Sequence, residues 1–162
     1  MTLVLNRIDD RLIHGQVVVG WGQPLNVAFI VLVVDEVADS DWEQELYRMG
    51  VPPDMEVRFH SAADAALLLD GYRTETRPGI LITGDIATMR SLVAHGGVRE
   101  VNVGGIHYRA GRTQHLRYVF LTAQEQEELT ALATLGAVVT AQDVPAARAV
   151  SLAELLAARE NA

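Results

Sequence analysis

The run Asn6-Arg7-Ile8-Asp9-Asp10-Arg11-Leu12-Ile13-His14-Gly15-Gln16-Val17 sets two arginines, two aspartates, a histidine and a glycine close together. The chemistry open to such a set is narrow. A neutral imidazole is a good nucleophile, and histidine's ordinary pKa of about 6.5 leaves much of it neutral near pH 7. A carboxylate from Asp9 or Asp10 can hold one ring nitrogen of His14 as a donor and leave the other free to attack. The guanidinium groups of Arg7 and Arg11 can clamp the oxygens of a phosphoryl group. Gly15 allows close backbone approach, and a helix beginning at Gly15-Gln16 would aim N–H groups at an anion. The set suits a histidine that receives phosphate and passes it on. A solvated turn with internal ion pairs is the plain alternative.

The flanking segments say where this loop sits. Leu3-Val4-Leu5 reads as a first strand, and Val17-Val18-Val19-Gly20-Trp21 as a short helix. The loop therefore lies at a strand's carboxyl end, where open α/β sheets place their sites. Val27 to Val34 is a continuous apolar run rich in β-branched residues, as expected of a strand buried on both faces. Ser40 or its aspartate neighbours start a helix through Trp42, Leu46 and Tyr47 to Gly50, a stripe suited to core or interface. Met55 to Phe59, Ile80 to Thr83, Val98 to Val103 and Ala137 to Val144 read as further strands. Helices are expected after Ser61 (with Ala65, Leu68 and Leu69 inward), after Asp85 and after Thr122. Gly71 to Gly79 reads as a mobile loop, and Ile106 to Val119 as a hairpin turning at Gly111. Alternating strands and helices predict an α/β fold, a mostly parallel, doubly wound sheet with helices on both faces. One domain spanning 1–162 is expected, with a peripheral terminal helix at about 150–162.

Composition excludes several classes. The chain has 162 residues, no cysteine and a formal net charge of -8. Thiolate chemistry and disulfides are ruled out, and affinity for nucleic acid is disfavoured. All 13 basic residues are arginine, so no P-loop lysine, Schiff base or lysine general base exists. His14, His60, His95, His107 and His115 show no metal-ligand spacing, so no metal or cofactor is expected. No apolar run is long enough to span a bilayer and no secretory leader is visible, which predicts a cytoplasmic protein. The acid-free stretch Val101–Gln124 carries Arg109, Arg112, Arg117, His107 and His115. It can help hold phosphate or a donor protein, or simply pair with acidic helices; no chemistry is assigned to His107. Gly104-Gly105 can line a phosphate pocket or make a turn with positive φ.

The segment Arg7–Val17 resembles the signature of the EIIB subunit of the mannose/fructose/sorbose class of the bacterial sugar phosphotransferase system. The likeness continues at Val34-Asp35-Glu36-Val37-Ala38, Pro52-Pro53, Asn102-Val103-Gly104-Gly105 and Gly111-Arg112-Thr113-Gln114. It departs from the commoner pattern at Thr83-Gly84-Asp85 and at Gln114-His115-Leu116-Arg117. The resemblance implies that His14 is phosphorylated by an EIIA partner, at Nδ1, and gives the group to a sugar entering through membrane EIIC and EIID subunits. It implies Arg7 and Arg11 as charge stabilisers, Asp9 or Asp10 as orienting carboxylates, and Gly15 and Gln16 as phosphate-binding donors. The alternative is a regulatory protein whose phosphorylation selects partners. The sugar and the oligomeric state are left open.

Overall fold

In a computed structural model, which describes residues 2–159, the strands alternate with helices as the pattern predicts. The parallel strands are β1 (Leu3–Ile8), β2 (Phe29–Val33), β3 (Glu56–His60), β4 (Gly79–Thr83), β5 (Glu100–Val103) and β8 (Val138–Ala141). They lie in the order β3-β2-β4-β1-β5-β8, and β9 (Val150–Ser151) adds an antiparallel edge. β6 (Thr113–Leu116) and β7 (Val119–Leu121) form the expected hairpin beyond β5. β2, β5 and β8 are shorter than the runs Val27–Val34, Val98–Val103 and Ala137–Val144 that announce them, whereas β1 extends past Leu5 to Ile8 and β4 begins one residue early at Gly79.

Two apolar layers clamp the sheet. Phe29, Val31 and Val33 of β2 face one cluster, which holds Ile86, Met89 and Leu92 of α4 (Ile86–Ala94). Leu129 and Leu132 of α5 (Ala123–Thr134) complete that side, together with Ala65 and Leu69. Ile30 and Leu32 face the other cluster, with Val17, Val18 and Trp21. A run apolar throughout thus splits by alternation into two inner faces, the signature of a doubly covered parallel sheet.

Local signals place the helices. Thr122 and Glu125 make a reciprocal capping box at the start of α5, and Asp85 caps α4. Ser40 caps α2 (Asp41–Met49) and Ser61 caps α3 (Ala62–Leu68); a four-residue helix, α1 (Asp35–Ala38), precedes α2. Two expectations change here. Leu68 is exposed, because the chain tightens at Leu69 into a 3-10 turn, Leu69–Thr74, that also orders part of the loop expected to be mobile. Trp42 and Leu46 are 68% and 53% exposed, so of the α2 stripe only Tyr47 packs against the core, and the core half of the core-or-interface reading fails for the other two.

The terminal helix α6 (Leu152–Ala157) packs inward: Leu155 is fully buried, and its carbonyl lies 3.1 Å from Nδ1 of the buried His115. Burial pushes the His115 imidazole below its ordinary pKa, and burial does the same to His60. The unfolded chain therefore binds protons that the folded chain refuses. Stability is whole above about pH 6.5 and falls on acidification toward the lowered folded values. A lower melting temperature at pH 5.5 than at pH 7.5, lost in His115→Phe plus His60→Phe, is the expected result.

The order of strands fixes one crevice. From β1 the chain moves to β2 on one side, while the crossover after β4 passes to β5 on the other. The carboxyl ends of β1 and β5 thus flank the switch point, where open sheets bind ligands.

Candidate active site

β1 ends there. The backbone N–H of Asp9 donates to Thr83 of β4, and that of Asp10 donates to Gly105 after β5. The next residues close a tight turn in which the Leu12 N–H donates to the Asp9 carbonyl at 3.0 Å. Leu12 then adopts a left-handed conformation with φ of 61°, strained for a branched side chain. That strain aims the Leu12 carbonyl at the imidazole: His14 Nδ1 donates to it at 3.1 Å. The His14 carbonyl in turn receives the N–H groups of Val17 and Val18 and starts a π-helix, Gln16–Gly22. Such helices are rare and gather at functional sites. The short helix expected here is present in this wider form.

Asp9 is the hub. Its carboxylate is fully buried and accepts from Arg7 Nε at 3.2 Å and from the Arg11 backbone N–H at 3.1 Å. Oδ2 stands 3.9 Å from His14 Nε2, and Oδ1 stands 3.7 Å from Arg11 Nε. His14 Nε2 is buried and makes no hydrogen bond. Nδ1 bears the proton given to Leu12, so in the neutral ring the lone pair is on Nε2, facing the Asp9 carboxylate.

Arg7 stands elsewhere than expected. The guanidinium is fully buried and spends its donors on protein: Asp9, Asn102 Oδ1 at 2.5 Å, and the carbonyls of Gln142 at 2.9 Å and Asp143 at 3.2 Å. It also lies 5.3 Å from the Trp21 ring centre. Its direct contact with phosphate is therefore withdrawn; it holds Asp9 in place and ties β1 to β5 and β8. Burial lowers its pKa, with Asp9 pulling the other way.

Arg11 is the cation left at the surface. Its side chain is 43% exposed, and Nη2 donates to Gln16 Oε1 at 2.5 Å. Gln16 Nε2 donates to Asp143 at 2.8 Å, so this side chain braces Arg11 rather than offering itself to an anion. Gly15 is exposed, and a Cβ there would meet nothing within 4 Å, which leaves open space beside His14.

Asp10 turns away from His14. Both its oxygens hold His107, through the backbone N–H at 2.7 Å and Nδ1 at 2.6 Å. The choice between the two aspartates is thus made by position: Asp9 faces His14 and Asp10 faces the loop after β5. In that loop Gly104 is needed for room, not for positive φ, since a methyl group there would overlap the Arg7 guanidinium. Arg112 binds Glu125 through two parallel contacts at 2.9 and 2.8 Å and donates to the His107 carbonyl. Arg117 donates to Asp143 at 2.8 Å, so two of the arginines in the acid-free stretch pair with carboxylates, and Arg109 is exposed. Trp21 and Asp143 were given no site role from the sequence, Asn102 entered only through the family likeness, and His107 only as part of the acid-free stretch, with no chemistry assigned. A polar residue inside the apolar strand Val101-Asn102-Val103 was the one visible signal.

The family described as "PTS system sorbose subfamily IIB component" matches residues 3–162. The chain belongs to this family. The N-acetylgalactosamine-specific phosphotransferase enzyme IIB component 2 of Escherichia coli K12 is 33% identical, over 95% of this chain and 98% of that protein. The sorbose-specific EIIB component of Lacticaseibacillus casei is 29% identical over 84% of each. Among solved structures, the IIBSor domain of the sorbose permease from Klebsiella pneumoniae superimposes with a TM-score of 0.86 at 27% identity, covering 96% and 97% of the two chains. This IIB chain is thus a component of a sugar phosphotransferase system of the mannose/sorbose class. No helix among its described residues is long and apolar enough to cross a membrane.

Proposed function

We propose that this IIB chain carries a phosphoryl group on His14, taking it from an EIIA donor protein and giving it to a sugar at membrane EIIC and EIID subunits. The observation that supports this reading is a half-buried imidazole, 17% exposed, set between the buried Asp9 and the exposed Arg11 at the sheet's switch point. Phosphoryl transfer asks chiefly for positioning and charge stabilisation, and this loop offers both without a nucleotide or metal.

In the ring orientation observed, Nδ1 is held by the Leu12 carbonyl and Nε2 is buried against Asp9. Transfer at Nδ1, the nitrogen implied by the resemblance, needs the ring to leave the Leu12 carbonyl and shift its proton to Nε2. A movement of about 1 Å then brings Nε2–H into hydrogen-bond range of Asp9, which is already aimed at it. Asp9 orients and compensates the imidazole; Arg7 fixes Asp9; Arg11 contacts the transferring group. The N–H groups of Gly15 and Gln16, at a helix start where no intrahelical acceptor exists, complete the cradle. Sorbose, N-acetylgalactosamine and mannose are the acceptors to try, since relatives bear those names.

Incubation with phosphorylated EIIA should add one phosphoryl mass to the intact chain, on the peptide containing His14. No mass gain with a donor that loads a known EIIB would end the reading. Arg11→Met should slow loading about 10- to 100-fold, the value of one charge-assisted hydrogen bond of about 1.5–3 kcal/mol. Its unfolding midpoint should not move, because the side chain is exposed. An unchanged loading rate would remove Arg11 from the transfer step.

A further inference from the structure

We infer that His107 is the general base for the second half of the reaction, taking the proton from the sugar hydroxyl as that oxygen attacks phospho-His14; the inference rests on the phosphocarrier reading above. An alcohol that attacks phosphorus must lose its proton, and this chain's side of the crevice offers few groups to receive it. Asp9 is fully buried and held by Arg7 and Arg11. Asp10 spends both oxygens on His107. Asp143 gives one oxygen to Gln16 and the other to Arg117. The chain has no lysine, and His14 itself bears the phosphoryl group.

His107 is built for the task. A carboxylate can only accept, so the 2.6 Å contact with Asp10 places a proton on Nδ1, and in the neutral ring the lone pair is then on Nε2. The side chain is 47% exposed, and no hydrogen bond to Nε2 forms among the described residues. The loop cannot drift: Asp10 grips the His107 backbone N–H, and Arg112, fixed to Glu125 on α5, grips its carbonyl at 2.7 Å. Arg112 Nη1 also stands 4.0 Å from Asp10. The ring lies over Gly105 beside the hub of the site. A Cβ on Gly105 would be 2.9 Å from His107 Cε1 and 3.3 Å from Asp9 Oδ1. A tether alone would need only the backbone contact; the carboxylate on Nδ1 is the arrangement by which bases are oriented in hydrolytic triads.

The step balances. The sugar oxygen bonds to phosphorus as the P–N bond to His14 breaks, and that electron pair returns to the imidazole. The hydroxyl proton passes to His107 Nε2, and the imidazolium so formed releases it to water.

The test separates the half-reactions. His107→Asn keeps a donor for Asp10 and has no basic nitrogen, and His107→Gln reaches the position of Nε2 without basicity. The chain is first loaded from phosphorylated EIIA, then mixed with vesicles carrying EIIC and EIID subunits that support wild-type turnover, with mannose, sorbose and N-acetylgalactosamine as acceptors. Both variants should load His14 as wild type does and discharge it to sugar about 10²- to 10⁴-fold more slowly. Discharge at the wild-type rate would overturn the base role while leaving the carrier reading intact. Equal loss of loading and discharge in both variants would also overturn it, by showing that the ring only shapes the loop. Failure of the wild type to load would instead strike the carrier reading itself.

Discussion

His14→Asn should leave stability within about 1 kcal/mol of the parent and abolish covalent phosphoryl uptake. The His14 side chain keeps some solvent contact, and its one hydrogen bond goes to the Leu12 carbonyl at 3.1 Å. An asparagine amide can donate to the same carbonyl. The contacts that start the π-helix, from Val17 and Val18 to the His14 carbonyl, are backbone and survive the change. An exchange that keeps a modest hydrogen bond and opens no core cavity belongs to the small class of stability effects. Chemistry is another matter, because an amide nitrogen has no lone pair to offer phosphorus. Labelled phosphate transferred from EIIA and followed by peptide mapping is the direct measurement. Label persisting in the variant, at His107 or elsewhere, would show that His14 is not the acceptor.

Much of this molecule was legible because the relevant information is local. The capping box Thr122/Glu125 and the caps at Ser40, Ser61 and Asp85 are written in adjacent residues, and they set α2 to α5. The apolar run holding β2 announced a doubly covered sheet before any partner strand was known. The loop Asp9–Gln16 was legible as a candidate site for the same reason, since its residues are consecutive. What could not be read was the environment of each. Arg7 and Arg11 are equivalent by composition, yet Arg7 points into the sheet. Its partners Asn102 and Gln142 lie 95 and 135 positions away, brought in only by the parallel pairing of β1, β5 and β8. Asp9 and Asp10 divide in the same way, one toward His14 and one toward His107. Gly104 was read as lining a phosphate pocket or making a turn with positive φ, whereas its meaning is space, and Arg7 requires that space.

Arg7→Met should therefore damage the fold first and the chemistry through it, at a cost of about 3–5 kcal/mol. Methionine fills much of the volume but removes the only full charge, among the described residues, within hydrogen-bond range of the buried Asp9 side chain, since Arg11 Nε stands 3.7 Å away. It also strips donors from Asn102 Oδ1 and from the carbonyls of Gln142 and Asp143. Each orphaned group adds a desolvation penalty, and domains have only about 5–15 kcal/mol in hand. Arg7→Lys should fall short too, because one ammonium on a flexible stem cannot span a carboxylate, an amide and two carbonyls in a plane. Gly104→Ala should reproduce the damage from the opposite side, pressing a methyl group into the guanidinium without touching any charge. Urea unfolding of the three variants beside Arg11→Met makes the comparison. If Arg7→Met kept the parental midpoint and lost only transfer, the buried network would be incidental and the guanidinium would belong on the phosphoryl group after all. If the midpoint collapses in Arg7→Met and Gly104→Ala but not in Arg11→Met, the division of labour between a structural and a chemical arginine is established.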